Sequence, residues 1–215
     1  MRGPGVRLGV LALAAMLALP ACGGRQETGS GEIAIATGNT TGVYYQLGGG
    51  LATLIDKNLD GRTATAIETS ASVDNIKGLV GGKYSVAFSL LDTAGDAVNG
   101  KGEFDGEQPI EALMRIYPNY TQVVVRADSG IEKLADMKGK AVSTGSPNSG
   151  TEVIANRLLE SAGLDPGEDV KAQRIALPQT VDAMKDGKID AMFWSGGLPT
   201  SGITDLSTSM KDEVR

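Results

Sequence analysis

Residues 33–59 read "IAIATGNTTGVYYQLGGGLATLIDKNL". The first five are a short β-like run and "GNTTG" is a polar loop. Val43, Leu47, Leu51, Leu54 and Ile55 then recur at helical spacing on one side. The unit is strand, loop, helix, and it repeats. "RTATAIETS" reads as a second strand, "SVDNIKGLVGGK" as a helix capped by Ser72, and "YSVAFSL" as a third strand leading to "LDTAGDAVNGKG". Repeated strand–helix units imply a mainly parallel sheet covered on both faces.

Further along, "LMRIY" and "TQVVVRA" read as two strands around the turn at Pro118-Asn119. A second series follows. "IEKLADMKG" is a short helix, "KAVSTG" a strand, "STGSPNSGTE" a loop entering a helix that runs to Ala162, and "DVKAQRIAL" a strand. "PQTVDAMKDG" is a helix with Pro178 in its first turn, and "IDAMFWSGG" is a strand. The spacing places a first α/β lobe at 32–122 and a second at 123–215, with the crossing near Val123–Ala127. "LPTSGITDLSTSMKDEVR" begins another helix and ends in charged residues without closing a unit, so the second lobe is expected to be incomplete and the protein truncated at its C-terminus.

There is no histidine and a single cysteine in 215 residues. That excludes a Ser-His-Asp triad, a Cys-His pair and a His-ligated zinc site. GxSxG and SxxK are absent as well. The expectation is a protein that is no enzyme and carries no metal or cofactor.

The N-terminus, "MRGPGVRLGVLALAAMLALPAC", has Arg2 and Arg7 before an uncharged run from Leu8 to Leu19. This is a secretory signal, too short for a spanning helix. "LPAC" resembles a lipobox, making Cys22 a candidate lipidation site and 1–22 the signal, with 23–31 a polar tether. Removing 1–22 takes away two arginines and no acid, which leaves 26 acidic residues and a net charge of −8. An acidic protein of this kind is no nucleic-acid binder.

Two loops have the build of a site. Gly145–Thr151 matches a P-loop except that Thr151 stands where lysine is required, so nucleotide binding is disfavoured. A helix start with hydroxyls at Ser146, Ser149 and Thr151 remains. It suits a carboxylate, or else Ser149 or Thr151 simply caps the helix with Glu152 in its first turn. "TGNTTGVYY" has the same build, and two such helix mouths on opposing lobes would share one cleft. Tyr44 or Tyr45 is expected to pack between helix and sheet, the other to wall a ligand. Phe193 and the sole tryptophan, Trp194, should face opposite sides of their strand, so that only one meets the cleft. Arg126, near the crossing, is a candidate carboxylate clamp, while Asp92 and Arg115 have the ordinary fate of surface charges open to them.

As a set, "ATGNTTGVYYQLGGGLA", "SVDNIKGL", "VVVRADSGIEKLADMKGKAVSTGSPNSGTE" and "MKDGKIDAMFWSGGLPT" resemble the TAXI family, the solute-binding receptors of one branch of TRAP transporters. The first loop departs from the family's glycine-richer form at Asn39, Thr40, Thr41 and Gln46. The resemblance implies a type II periplasmic-binding-protein fold of two α/β lobes that close on a small solute, such as glutamate, glutamine or a related carboxylate, and deliver it to a TRAP membrane permease. It points to Thr40, Thr41, Gly42, Tyr44, Ser146, Ser149, Gly150, Thr151 and Trp194 as ligand-binding residues. A solute amine would find its acceptor in Glu152, Asp92 or backbone carbonyls. An ABC-importer receptor shares this logic. An extracytoplasmic enzyme using Asp92 and Glu152 and a sensor input domain are the more distant alternatives.

Overall fold

The computed structural model describes residues 31–215, and the signal and Cys22 lie outside the described residues. The opening stretch folds as read. Strand β1 (Glu32–Ala36) leads through the 37–42 loop into helix α1 (Val43–Asn58). Ile35 and Ala36 at the end of β1 are fully buried, and α1 packs on this strand through Gly48, where a Cβ would collide with the Thr37 methyl group. Strand β2 (Thr63–Ile67), helix α2 (Ser72–Val80), strand β3 (Val86–Ala87) and helix α3 (Leu91–Val98) complete the first lobe. Its sheet is parallel, in the order β2-β1-β3.

The second sheet has the order β4-β7-β5-β6, from strands β4 (Tyr120–Val125), β5 (Ala141–Ser143), β6 (Lys171–Gln173) and β7 (Ala191–Gly196). β4 runs antiparallel to β7 and the remaining pairs are parallel. Helix α4 (Gly150–Ser161) packs on one face, with Ala155 and Leu159 against Val142 and Phe193. Helices α5 (Leu177–Lys185) and α6 (Ser201–Ser209) cover the other, with Val181, Met184 and Leu206 against Met192. Successive β7 side chains thus feed two different cores, as strand alternation demands.

Three expectations are corrected. "LMRIY" forms no strand: residues 101–119 are irregular, and Leu113 and Met114 are exposed. The run pairs with no strand, and among the described residues the outer edge of β3 stays unpaired. Ser72 does not cap α2. Ala71 holds that position with φ 84°, and the Ser72 hydroxyl instead accepts the Leu90 N–H at 3.0 Å. The last residues pair with the edge of the second sheet: Val125 and Arg215 exchange backbone hydrogen bonds of 2.9 Å and Ala127 N–H donates to the Glu213 carbonyl. Residues 120–122 already belong to the second sheet, with β4.

Candidate binding site

In a parallel sheet every strand delivers its helix start to the same edge. Here the edges of both sheets meet at a cavity of about 40 Å³. Gly38, Asn39, Gly42 and Tyr44 border it from the first lobe, and Ser146, Ser149, Gly150 and Thr151 from the second. The two loops singled out in the sequence therefore face one space. That space has room for only a few water-sized groups, so a larger solute enters only if the lobes part.

Residues at five helix starts border the cavity. They are the cap positions Gly42, Ala71, Leu90 and Ser149 of α1 to α4, and Leu177, the first residue of α5. Only Ser149 caps its helix with a side-chain hydrogen bond from the cap position; in the first turns of α2 and α3 the Asp74 N–H is taken by the Asn148 carbonyl and the Thr93 N–H by the Asp92 carboxylate. Each start carries about half a positive elementary charge. Among the described residues every bordering side group is uncharged, while Asp74, Asp92 and Glu152 stand in the first turns of α2, α3 and α4.

The loop before α4 proves to be both a cap and a cavity wall. The Ser149 hydroxyl accepts the Glu152 N–H at 3.0 Å, and the Glu152 carboxylate accepts the Asn148 N–H at 2.8 Å. Glu152 is buried and doubly bonded to the Arg174 guanidinium. These bonds hold the loop so that Gly150 and Thr151 border the cavity. Thr151 is 6% exposed, and its hydroxyl has no hydrogen-bond partner among the described residues.

Aromatic rings make the apolar part of the wall. Tyr44 packs against Phe88 at 5.3 Å and Tyr117 at 6.2 Å between ring centroids, so it is at once a packing residue and a wall residue. Burial raises both phenols above the ordinary tyrosine range, and the neighbouring Tyr117 adds to the effect on Tyr44. Trp194 is held by its indole N–H, which donates to the Thr200 hydroxyl at 3.1 Å. Phe193 and Trp194 both border the cavity; Phe193 is 1% exposed and belongs to the core under α4, while the Trp194 ring lies against Gly42 at the cavity.

Thr40 and Thr41 are not among the bordering residues. Thr40 is exposed. The Thr41 hydroxyl donates to the Asn39 side-chain oxygen at 3.0 Å, and its carbonyl accepts the Ser201 hydroxyl at 2.8 Å, which ties the loop to α6. Arg126 lies away from the cavity, paired with Asp128 and donating to the Met184 carbonyl. Asp92 faces Arg157 at 3.6 Å, and Arg115 is exposed. Sequence reasoning missed Tyr117 and the Ser70–Ser72 turn as cavity residues. The only signal was position: each directly precedes or follows a crossing or a strand end. Among the described residues no group of three His, Cys, Asp or Glu is placed to hold a metal.

A family model described as the NMT1-like family matches residues 35–214. The protein belongs to the NMT1-like family. Solved structures with the same fold include the alkanesulfonate-binding protein SsuA from Xanthomonas axonopodis pv. citri bound to MOPS (TM-score 0.52, 16% identity, 86% of this chain and 59% of that one). They include an ancestral arginine-binding protein bound to arginine (TM-score 0.54, 18% identity, 86% and 77%). A third is GshT, from a study of glutathione import with the cystine ABC importer TcyBC of Streptococcus mutans (TM-score 0.52, 16% identity, 86% and 74%). This NMT1-like protein thus has the type II fold of periplasmic solute-binding proteins, and it spans less than two thirds of the length of SsuA. The family match is coarser than the TRAP receptor branch that the motifs resemble.

Proposed function

We propose that this protein is the extracytoplasmic receptor of a membrane transporter, which captures a small carboxylate solute between its lobes and delivers it to a permease. One observation carries the reading: loops from opposite lobes border a single cavity ringed by helix starts. A carboxylate there would accept hydrogen bonds from first-turn N–H groups and from the Ser146 and Thr151 hydroxyls, with the rest of the solute against Tyr44 and Trp194. Such a solute touches both lobes only when they are together, so it favours closure. Gly42, Ser149 and Gly150 serve by placing backbone, and no covalent step is needed. The N-terminal signal and Cys22 supply export and a lipid anchor.

The motif set supports a TRAP permease as the membrane partner. An ABC importer is the second reading, supported by relatives of the same fold whose names place them with ABC importers. Titration calorimetry of the protein with glutamate, glutamine, glutarate and succinate tests the receptor reading. Saturable heat with at least one acid is expected, and a flat response to all of them ends the carboxylate assignment. Solute uptake in membrane vesicles driven by an ion gradient supports the TRAP partner, and uptake that requires ATP supports the ABC importer.

A further inference from the structure

We infer that Asn75 is a positioning residue for the cavity: its buried amide joins the exits of all three strands of the first sheet and so fixes the loops that border the cavity from that lobe. Its effect on solute affinity rests on the reading of the cavity as the solute site. Asn75 is fully buried on α2 and does not itself border the cavity. Its Nδ2 donates to the Thr37 carbonyl at 2.7 Å and to the Phe88 carbonyl at 2.8 Å, just past the ends of β1 and β3. Its Oδ1 accepts the Thr69 hydroxyl at 2.6 Å, just past the end of β2. Carbonyls can only accept, so the amide sits only this way round.

Each exit runs straight into the wall. Gly38, Asn39 and Gly42 follow Thr37, the Ser70–Ser72 turn follows Thr69, and Leu90 follows Phe88; all of them border the cavity. Ladder bonds end with the strands, and beyond them a loop keeps its place only through the bonds its own residues make. Here one side chain binds three loops at once. It also grips a strained residue, because Ala71 has φ 84°, a conformation rare outside glycine. The Ala71 N–H donates to the Thr69 hydroxyl oxygen at 3.1 Å, and its carbonyl accepts the Asn75 N–H at 2.8 Å. Such strain persists only where neighbouring bonds over-determine it. Aspartate has the outline of asparagine, yet it would set carboxylate oxygen against the Thr37 and Phe88 carbonyls and remove both donors.

Hydrogen exchange followed by NMR on the solute-free protein, with calorimetry on glutamate, glutamine, glutarate and succinate, tests this. The Gly42, Ala71 and Leu90 amides report one loop each, bonded to the Asn39 carbonyl and to the Thr69 and Ser72 hydroxyls. In Asn75→Asp, well below its melting temperature, all three should exchange at least about tenfold faster while amides inside β1 and β7 stay within about twofold. Affinity for each acid that binds should fall at least about tenfold. Thr69→Val keeps the shape of the side chain and removes its hydroxyl, so it should move both readings the same way by about threefold, and Thr69→Ser should restore them. This milder pair decides the question if Asn75→Asp does not fold. A uniform rise in exchange across both sheets, or a rise in one loop alone, makes Asn75 an ordinary core residue and overturns the inference. Unchanged affinity overturns it too. No heat from the unaltered protein with any acid ends the carboxylate reading, and the loop amides then decide the positioning by themselves.

Discussion

Tyr44 and Tyr117 sit where function and stability share the same atoms. Their phenols are raised above the ordinary value of 10.0, chiefly by burial. The folded state therefore keeps protons that the unfolded state releases once pH passes about 10. The stabilisation is complete below that pH and is lost as pH rises through the folded-state values. An alkaline titration followed by tyrosinate absorbance and circular dichroism should show two phenols that ionise only as the fold is lost. If all five tyrosines titrate together near pH 10 with the dichroism intact, the burial argument fails. Tyr44 was legible in the sequence because it opens a helix after a small-residue loop. Tyr117 was not, because its importance comes from a neighbour 73 positions away in sequence, and local pattern carries no such information. Thr40 and Thr41 show the converse: loop chemistry marked them, yet the turn directs them away from the cavity towards solvent and α6.

At the scale of elements, the start of α4 is packed closely against the other lobe. A Cβ at Gly150 would come within 2.5 Å of the Leu90 side group and 2.8 Å of the Ser72 hydroxyl. Gly150→Ala should therefore wedge α4 from α2 and α3, destabilise the fold by about 1–3 kcal/mol and weaken solute binding. Thermal unfolding with parallel calorimetry measures both, and an unchanged protein would mean the lobes are less closely apposed. Most elements could be read from periodicity, since β1, α1, β2, β5, α4, α5 and β7 each combine a clear apolar period with a loop at each end. "LMRIY" misled because an apolar run records a demand for burial and says nothing about whether a partner strand is in place.

Across the whole molecule, the contacts that join the lobes around the cavity include three besides the Thr41–Ser201 bond and the close approach at Gly150. The Asp74 N–H donates to the Asn148 carbonyl at 3.1 Å, Val153 packs on the cluster of Val73, Ile76, Ala97 and Phe104, and Arg157 bridges Asp92 and Asp96. The last is solvated, with Arg157 45% exposed, and contributes less than about 1 kcal/mol. Arg157→Ala should release a bound solute about two- to fivefold faster while leaving the unbound fold intact, as surface plasmon resonance can measure. An unchanged release rate would show that this pair does not hold the lobes together. The parallel series of units in each half was visible in the sequence. Which surfaces meet was not, for it depends on how the 101–119 segment leads from one sheet to the other. Trp194, the protein's sole indole, is built into the very wall that a captured molecule would touch. Its ultraviolet emission therefore originates at one known place, and the protein can be watched filling and emptying in real time without any dye attached.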